Sequence, residues 1–165
     1  MLCESVCLLD MRDTGRPAAI GSLPRALEAA HDACAANAAA RQVGIVVDDV
    51  PALEIAIDTD RLTLVLVNLI DNAIKHGRPG GGVFVGVDIA DHRFVRITVD
   101  DDGPGIATAD REHIFALGER ATTAANGSGI GLALVRLMLE RTGGRVDLVD
   151  SPLGGARFSI TVPRV

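Results

Sequence analysis

Tryptophan and tyrosine are absent from this chain of 165 residues, and phenylalanine occurs only four times. Proteins that hold single-stranded nucleic acid stack its bases on aromatic rings along a basic groove. With a formal charge of −6 and no cluster of arginines, neither part of such a surface is available, so nucleic acid is not an expected partner. Lysine is nearly missing too: Lys75 is the only one among 16 basic residues. The longest near-apolar stretch, residues 62–70, falls well short of the ~20 residues that span a bilayer. This segment is therefore not expected to contact a membrane. Glu4 and the lack of a basic leader make the N-terminus unlike a secretory signal. The cysteines Cys3, Cys7 and Cys34 have no second pair and no histidine pair to complete a zinc site. They are expected to be free thiols in the cytoplasm.

What is present is enough apolar residue, 48%, to bury the core of one domain. The Ala-rich run after Ser22 predicts a helix, with Ser22 as N-cap and Pro24 in its first turn. Two β-type runs follow at 44–50 and 52–58, separated by Pro51. Asp58 or Thr59 then caps a helix running to about Lys75, and Gly77 ends it. Alternating strands are expected at 83–90 and 94–100, a short helix at 108–115 and a loop at 116–128. A helix opening near Gly129 and a closing strand pair, 145–151 and 156–163, complete the chain. Helices and hairpin-linked strands in this order predict an α+β fold, a two-layer sandwich of one mixed sheet with helices on one face.

The stretch NLIDNAIKHG carries the first chemistry. At ~100° per residue, Leu62, Val65, Leu66, Leu69 and Ala73 share one face of the helix. Asn68, Asn72 and Lys75 fall within roughly 60° of one another beside that apolar stripe. A single asparagine there is most simply a solvated helix edge. Two carboxamides with an ammonium suit a hard cation such as Mg²⁺ beside a phosphate. Two glycine loops add to this. DDDGPGI allows close backbone approach beside acids, one of which can accept from an exocyclic amine such as adenine's while Ile106 packs the ring. NGSGIGLAL places glycines at a loop-to-helix junction, where free amides and the helix dipole favour an anion. It lacks the flanking strand and acid of a dinucleotide fingerprint, and also the GK[ST] of a P-loop.

Taken in order, NLIDNAIKHG, DDDGPGI, REHIF and NGSGIGLAL resemble the N, G1, F and G2 boxes of the catalytic ATP-binding domain of sensor histidine kinases, within the GHKL superfamily. The resemblance covers about residues 22–165 and includes the closing SPLGGARFSITVP. It implies a Bergerat-type ATP-binding fold that takes ATP and Mg²⁺. Asn68 and Asn72 match the metal-binding asparagines, Asn72 foremost, with Lys75 and His76 at the phosphate-facing end. Asp102 matches the adenine-binding aspartate, with Gly105 and Ile106 lining the pocket, and Phe115 matches the F box. Gly127, Ser128, Gly129, Ile130, Gly131 and Leu132 match the G2 box. Between Phe115 and Gly127 lies a short, PhoQ-like ATP lid, whose single cation, Arg120, is expected on a phosphate.

Members that hydrolyse ATP carry a glutamate at the position of Asn68, which serves as general base. A carboxamide cannot do this, so phosphotransfer is expected instead of hydrolysis, with Asn68, Asn72 and Lys75 as the catalytic set. None of the four histidines stands in an acceptor motif; His31 is followed by an acid but by no threonine or proline. The acceptor is therefore expected on a separate dimerisation domain of the same full-length protein, with residues 1–21 as a linker or as the tail of that domain's last helix. A response regulator is the expected downstream partner, and the cytoplasmic side of an inner-membrane sensor is an expected setting. Two alternatives remain open: an anti-sigma-factor-type serine kinase, and a nucleotide-binding regulatory module without transfer.

Overall fold

The computed structural model describes residues 19–116 and 130–165. The elements in chain order are β1 (Gly21–Ser22), α1 (Leu23–Ala40), β2 (Gly44–Val47), β3 (Glu54–Ile55), α2 (Thr59–His76), β4 (Gly82–Ile89) and β5 (Phe94–Asp101). Two short 3₁₀ turns (Thr108–Asp110 and His113–Phe115), α3 (Gly131–Arg141), β6 (Arg145–Asp150) and β7 (Ala156–Pro163) follow. The main sheet has the order β2-β4-β5-β7-β6, parallel between β2 and β4 and antiparallel elsewhere. Alternation divides its faces. Val83, Val85, Val95, Ile97, Val99, Phe158, Ile160 and Val162 are at most 1% exposed beneath the helices. Arg96, Asp88, Arg145 and Asp147 stand exposed on the other face. The mixed sheet with helices on one side is the architecture expected.

The capped helix forms as its sequence requires. Asp58 accepts from the Arg61 amide (2.8 Å), and the apolar stripe is buried together with Ile70 and Ile74. Those two are added because α2 packs against α1 and α3 as well as the sheet. At ~1.5–3 kcal/mol for each fully buried Leu, Ile or Val, α2 is held firmly enough to carry polar groups on its rim. Ser22 sits at the N-cap position of α1 without a side-chain cap; its amide donates to Thr59 Oγ1 (3.0 Å) instead. Cys34 lies in this core, where burial pushes its thiol up to about 11.

Three local expectations change. The runs at 44–50 and 52–58 shorten to four and two residues and do not pair with each other: β2 joins β4, while β3 joins β1. Pro51 has no N–H for a ladder, and the Asp58 side chain is committed to capping α2. The expected helix at 108–115 is two 3₁₀ turns, since only Ile114 and Phe115 of it are buried and so short a helix does not hold itself.

Candidate functional site

The polar rim of α2 has the composition the sequence predicts, and each side chain has a definite state. Asn68 and Asn72 are half-buried, Lys75 and His76 exposed. Asn68 Nδ2 donates to the Leu64 carbonyl (2.8 Å). Its Oδ1 is turned toward the start of α3, so close that a Cβ on Gly131 would lie 2.6 Å away. The first turn of α3, with its free amides, thus stands against this carboxamide. Asn72 makes no hydrogen bond with any described residue, so its oxygen is available to a cation. Lys75 Nζ lies 3.5 Å from half-buried Asp71, a pair whose lysine end is open to water and can be exchanged for a phosphate. Asp71 itself accepts from Asn37 on α1 (2.9 Å), which ties it to the α1–α2 seam.

The contact with Gly131 gives a test. Alanine there meets the end of a side chain, not backbone, so the cost falls on the orientation of Asn68 and not on folding. Gly131→Ala is expected to weaken Mg-dependent nucleotide binding about tenfold, the order of one charge-assisted contact, with little change in melting temperature. Titration calorimetry beside a thermal melt checks both.

Asp102, the aspartate expected to face adenine, and its neighbour Asp101 differ in what their oxygens meet. Asp102 lies past the end of β5. Its Oδ1 accepts from the Arg78 amide (2.9 Å) and its Oδ2 from the Gly82 amide (3.1 Å). Burial pushes its carboxyl up, but these amides win and hold it below the ordinary aspartate value. Both oxygens therefore serve the loop that leaves α2. Asp101 is 2% exposed and points to the helix-covered face. Its Oδ1 accepts from the amides of Gly103 (2.9 Å) and Ala156 (3.1 Å). No described residue bonds Oδ2, and no buried polar atom among the described residues is left unsatisfied, so this oxygen opens to solvent. The alternation Val95, Ile97, Val99, Asp101 was the signal in the sequence that could have found it.

Around Asp101 the chain is close-packed. A Cβ on Gly155 would stand 2.0 Å from Asp101 Oδ1 and 2.6 Å from the Gly103 amide, which only glycine avoids. Gly105 takes a left-handed turn (φ 75°) that leads to half-buried Ile106, whose carbonyl accepts from Arg111 Nε (3.0 Å). Phe115, matched to the F box, is 9% exposed, and its ring packs edge-on to Phe158 (6.2 Å between centroids). This contact anchors the chain to the core. Ile130 is exposed and Leu132 half-buried at the start of α3. Arg120, Gly127, Ser128 and Gly129, with the rest of the expected lid, lie outside the described residues. His31, on α1, is 3.4 Å from its neighbour Asp32 and has no threonine or proline beside it.

Burial pushes the Asp101 carboxyl above the ordinary value of 3.8, against the pull of the Gly103 and Ala156 amides and of His76. Partial burial of its ring also lowers His76 below 6.5, opposed by Asp101, which favours the neutral imidazole at pH 7. A raised carboxyl stabilises the fold fully below 3.8 and loses that contribution as pH rises through the folded value. Binding an amine needs the ionised form and moves the other way. Adenosine affinity is expected to fall on acidification with a midpoint above 3.8. A titration series in adenosine, which carries no phosphate, checks this; a midpoint at or below 3.8 contradicts it.

A family model described as "Histidine kinase-, DNA gyrase B-, and HSP90-like ATPase" matches residues 57–165. Sensor protein kinase CarS of Pseudomonas aeruginosa is 40% identical over 114 residues, which make up 68% of this chain and 25% of CarS. The chain thus spans about a quarter of that curated relative. Among solved structures, mycobacterial sensor histidine kinase MprB superposes with a TM-score of 0.78 at 26% identity, covering 88% of this chain and 97% of that one. The ATP binding domain of PrrB from Mycobacterium tuberculosis gives 0.70 at 30% identity, covering 91% and 99%.

Proposed function

Because the chain belongs to the histidine kinase-, DNA gyrase B- and HSP90-like ATPase family, we propose that it binds Mg-ATP and passes the γ-phosphate to a histidine on a separate dimerisation domain of a sensor kinase. Asn68 carries the choice of transfer over hydrolysis. A general base must reach the attacking water, and the group at this point of the rim is a carboxamide bonded to Leu64. The adjacent carboxylate, Asp71, is engaged by Asn37 and Lys75. The solved ATP-binding domain of PrrB and the kinase CarS support the reading by likeness.

The work divides among the chain's own groups. Asp101 Oδ2 accepts the adenine amine, and Ile106 packs the ring. Asn72, with Asn68 Oδ1 beside it, presents the carboxamide oxygens that would hold Mg²⁺, which when bound draws charge from the phosphate oxygens. Lys75 and the first amides of α3 neutralise the phosphates, and neutral His76 contributes a hydrogen bond in place of a charge. Arg120, Gly127, Ser128 and Gly129 are assigned to the phosphates by the motif they match. A response regulator takes the phosphate onward.

The test mixes the domain and ATP with a histidine-bearing helical hairpin and then treats the phosphoprotein with acid. Acid-labile label is expected. Acid-stable label would move the protein to the serine kinases, and no label beside intact ATP binding would make it a regulatory module.

A further inference from the structure

Asp100 and Asp101 are neighbours on β5 that point to opposite faces of the sheet, and their partners on β7 are neighbours as well. On the helix-covered face, the Ala156 amide holds Asp101 Oδ1. On the open face, Asp100 receives the next residue, Arg157, as a two-pronged pair: Nε to Oδ1 at 2.8 Å and Nη2 to Oδ2 at 2.9 Å. Ser151 Oγ adds a third bond to Oδ1 (2.7 Å). Ser151 also closes the β6–β7 turn, its amide donating to the Gly155 carbonyl (2.8 Å) and its Oγ accepting from Leu153 (3.1 Å). Asp100 is 1% exposed, yet it faces away from the nucleotide site.

A carboxylate buried this deeply is tolerated only when fully bonded, and a planar fork fixes both its position and its rotation. The fork also fixes how β7 lies against β5, because Asp100 and Arg157 are register partners. Ala156 and Gly155, which crowd Asp101 Oδ1, are carried by the same stretch of β7 and its turn. If that stretch shifts, Asp101 can rotate, and its outward oxygen loses its single direction.

We infer that Asp100, Arg157 and Ser151 are positioning residues that orient the Asp101 carboxylate from behind the sheet and thereby set selectivity for a base bearing an exocyclic amine. The inference rests on the reading that Asp101 meets adenine. A residue that merely stabilises the fold would weaken every nucleotide alike; one that orients Asp101 affects only ligands that use the amine.

The experiment compares ATP with purine riboside triphosphate, which lacks only that amine, on the wild type, Arg157→Lys and Ser151→Ala. The wild type is expected to favour ATP by at least about tenfold, the scale of one hydrogen bond to a charged group. In both variants the ratio should drop toward one while affinity for purine riboside triphosphate stays within about twofold. Equal weakening of both ligands with the ratio preserved overturns the inference. A wild type with no preference overturns the Asp101 reading itself, and the inference with it. Ser151→Ala removes one donor without leaving a buried charge unpaired, so it decides the matter if Arg157→Lys does not fold.

Discussion

Asp101→Asn is expected to lower nucleotide affinity at least about a hundredfold while leaving the melting temperature equal or slightly raised. The substitution is nearly isosteric, and its Oδ1 can go on accepting from Gly103 and Ala156. The change falls on the outward oxygen, which becomes an NH₂ facing the adenine amine. A charge-assisted bond worth ~1.5–3 kcal/mol is lost, and two donors are set against each other. Stability moves the other way because burial already disfavours the charge on Asp101, and the neutral amide removes that cost. Asp102→Asn should give the reverse pattern. Both of its oxygens hold backbone amides, so an NH₂ placed against Arg78 or Gly82 costs stability, about 1–3 kcal/mol, with affinity changed far less. Calorimetric titration and thermal melts of the two variants separate the roles. Silence at Asp101 with abolished binding at Asp102 would restore the first expectation from the sequence.

Asn72→Ala should remove the Mg-dependent part of nucleotide binding. Asn72 bonds to no described residue, so alanine deletes no internal contact. In a helix interior alanine is also the better residue, by several tenths of a kcal/mol, so the fold should hold or gain. With Mg²⁺ present the variant should bind ATP at least about tenfold more weakly than wild type, the loss of one good charge-assisted ligand. With the metal chelated, the two proteins should be indistinguishable. Equal affinities in Mg²⁺ would place the cation elsewhere, with Asn68 the next residue to change.

Much of this protein was determined by patterns that are local along the chain. The stripe Leu62, Val65, Leu66, Leu69 and Ala73 follows the helical period, and it sets Asn68, Asn72 and Lys75 on the rim without knowledge of any partner. The alternation over 83–90 and 94–100 likewise decides which strand residues enter the core, and Asp58 caps its helix through a residue only three positions on. The four boxes in order were enough to point to ATP. Other features were decided only where distant segments meet. Strand alternation hints that Asp101 and not Asp102 turns inward, but what each carboxylate meets is decided by distance: amides 24 and 20 positions earlier occupy Asp102, while an amide 55 positions later holds one oxygen of Asp101 and leaves the other free. The rings of Phe115 and Phe158 meet only in the folded chain. The β-type runs at 44–50 and 52–58 do not reveal their partners, which are β4 for β2 and β1 for β3. The fork of Arg157 on Asp100 joins residues 57 apart. Helical and strand periods act between near neighbours and can be read from the chain, whereas a hydrogen bond between remote segments exists only once packing has brought its two ends together.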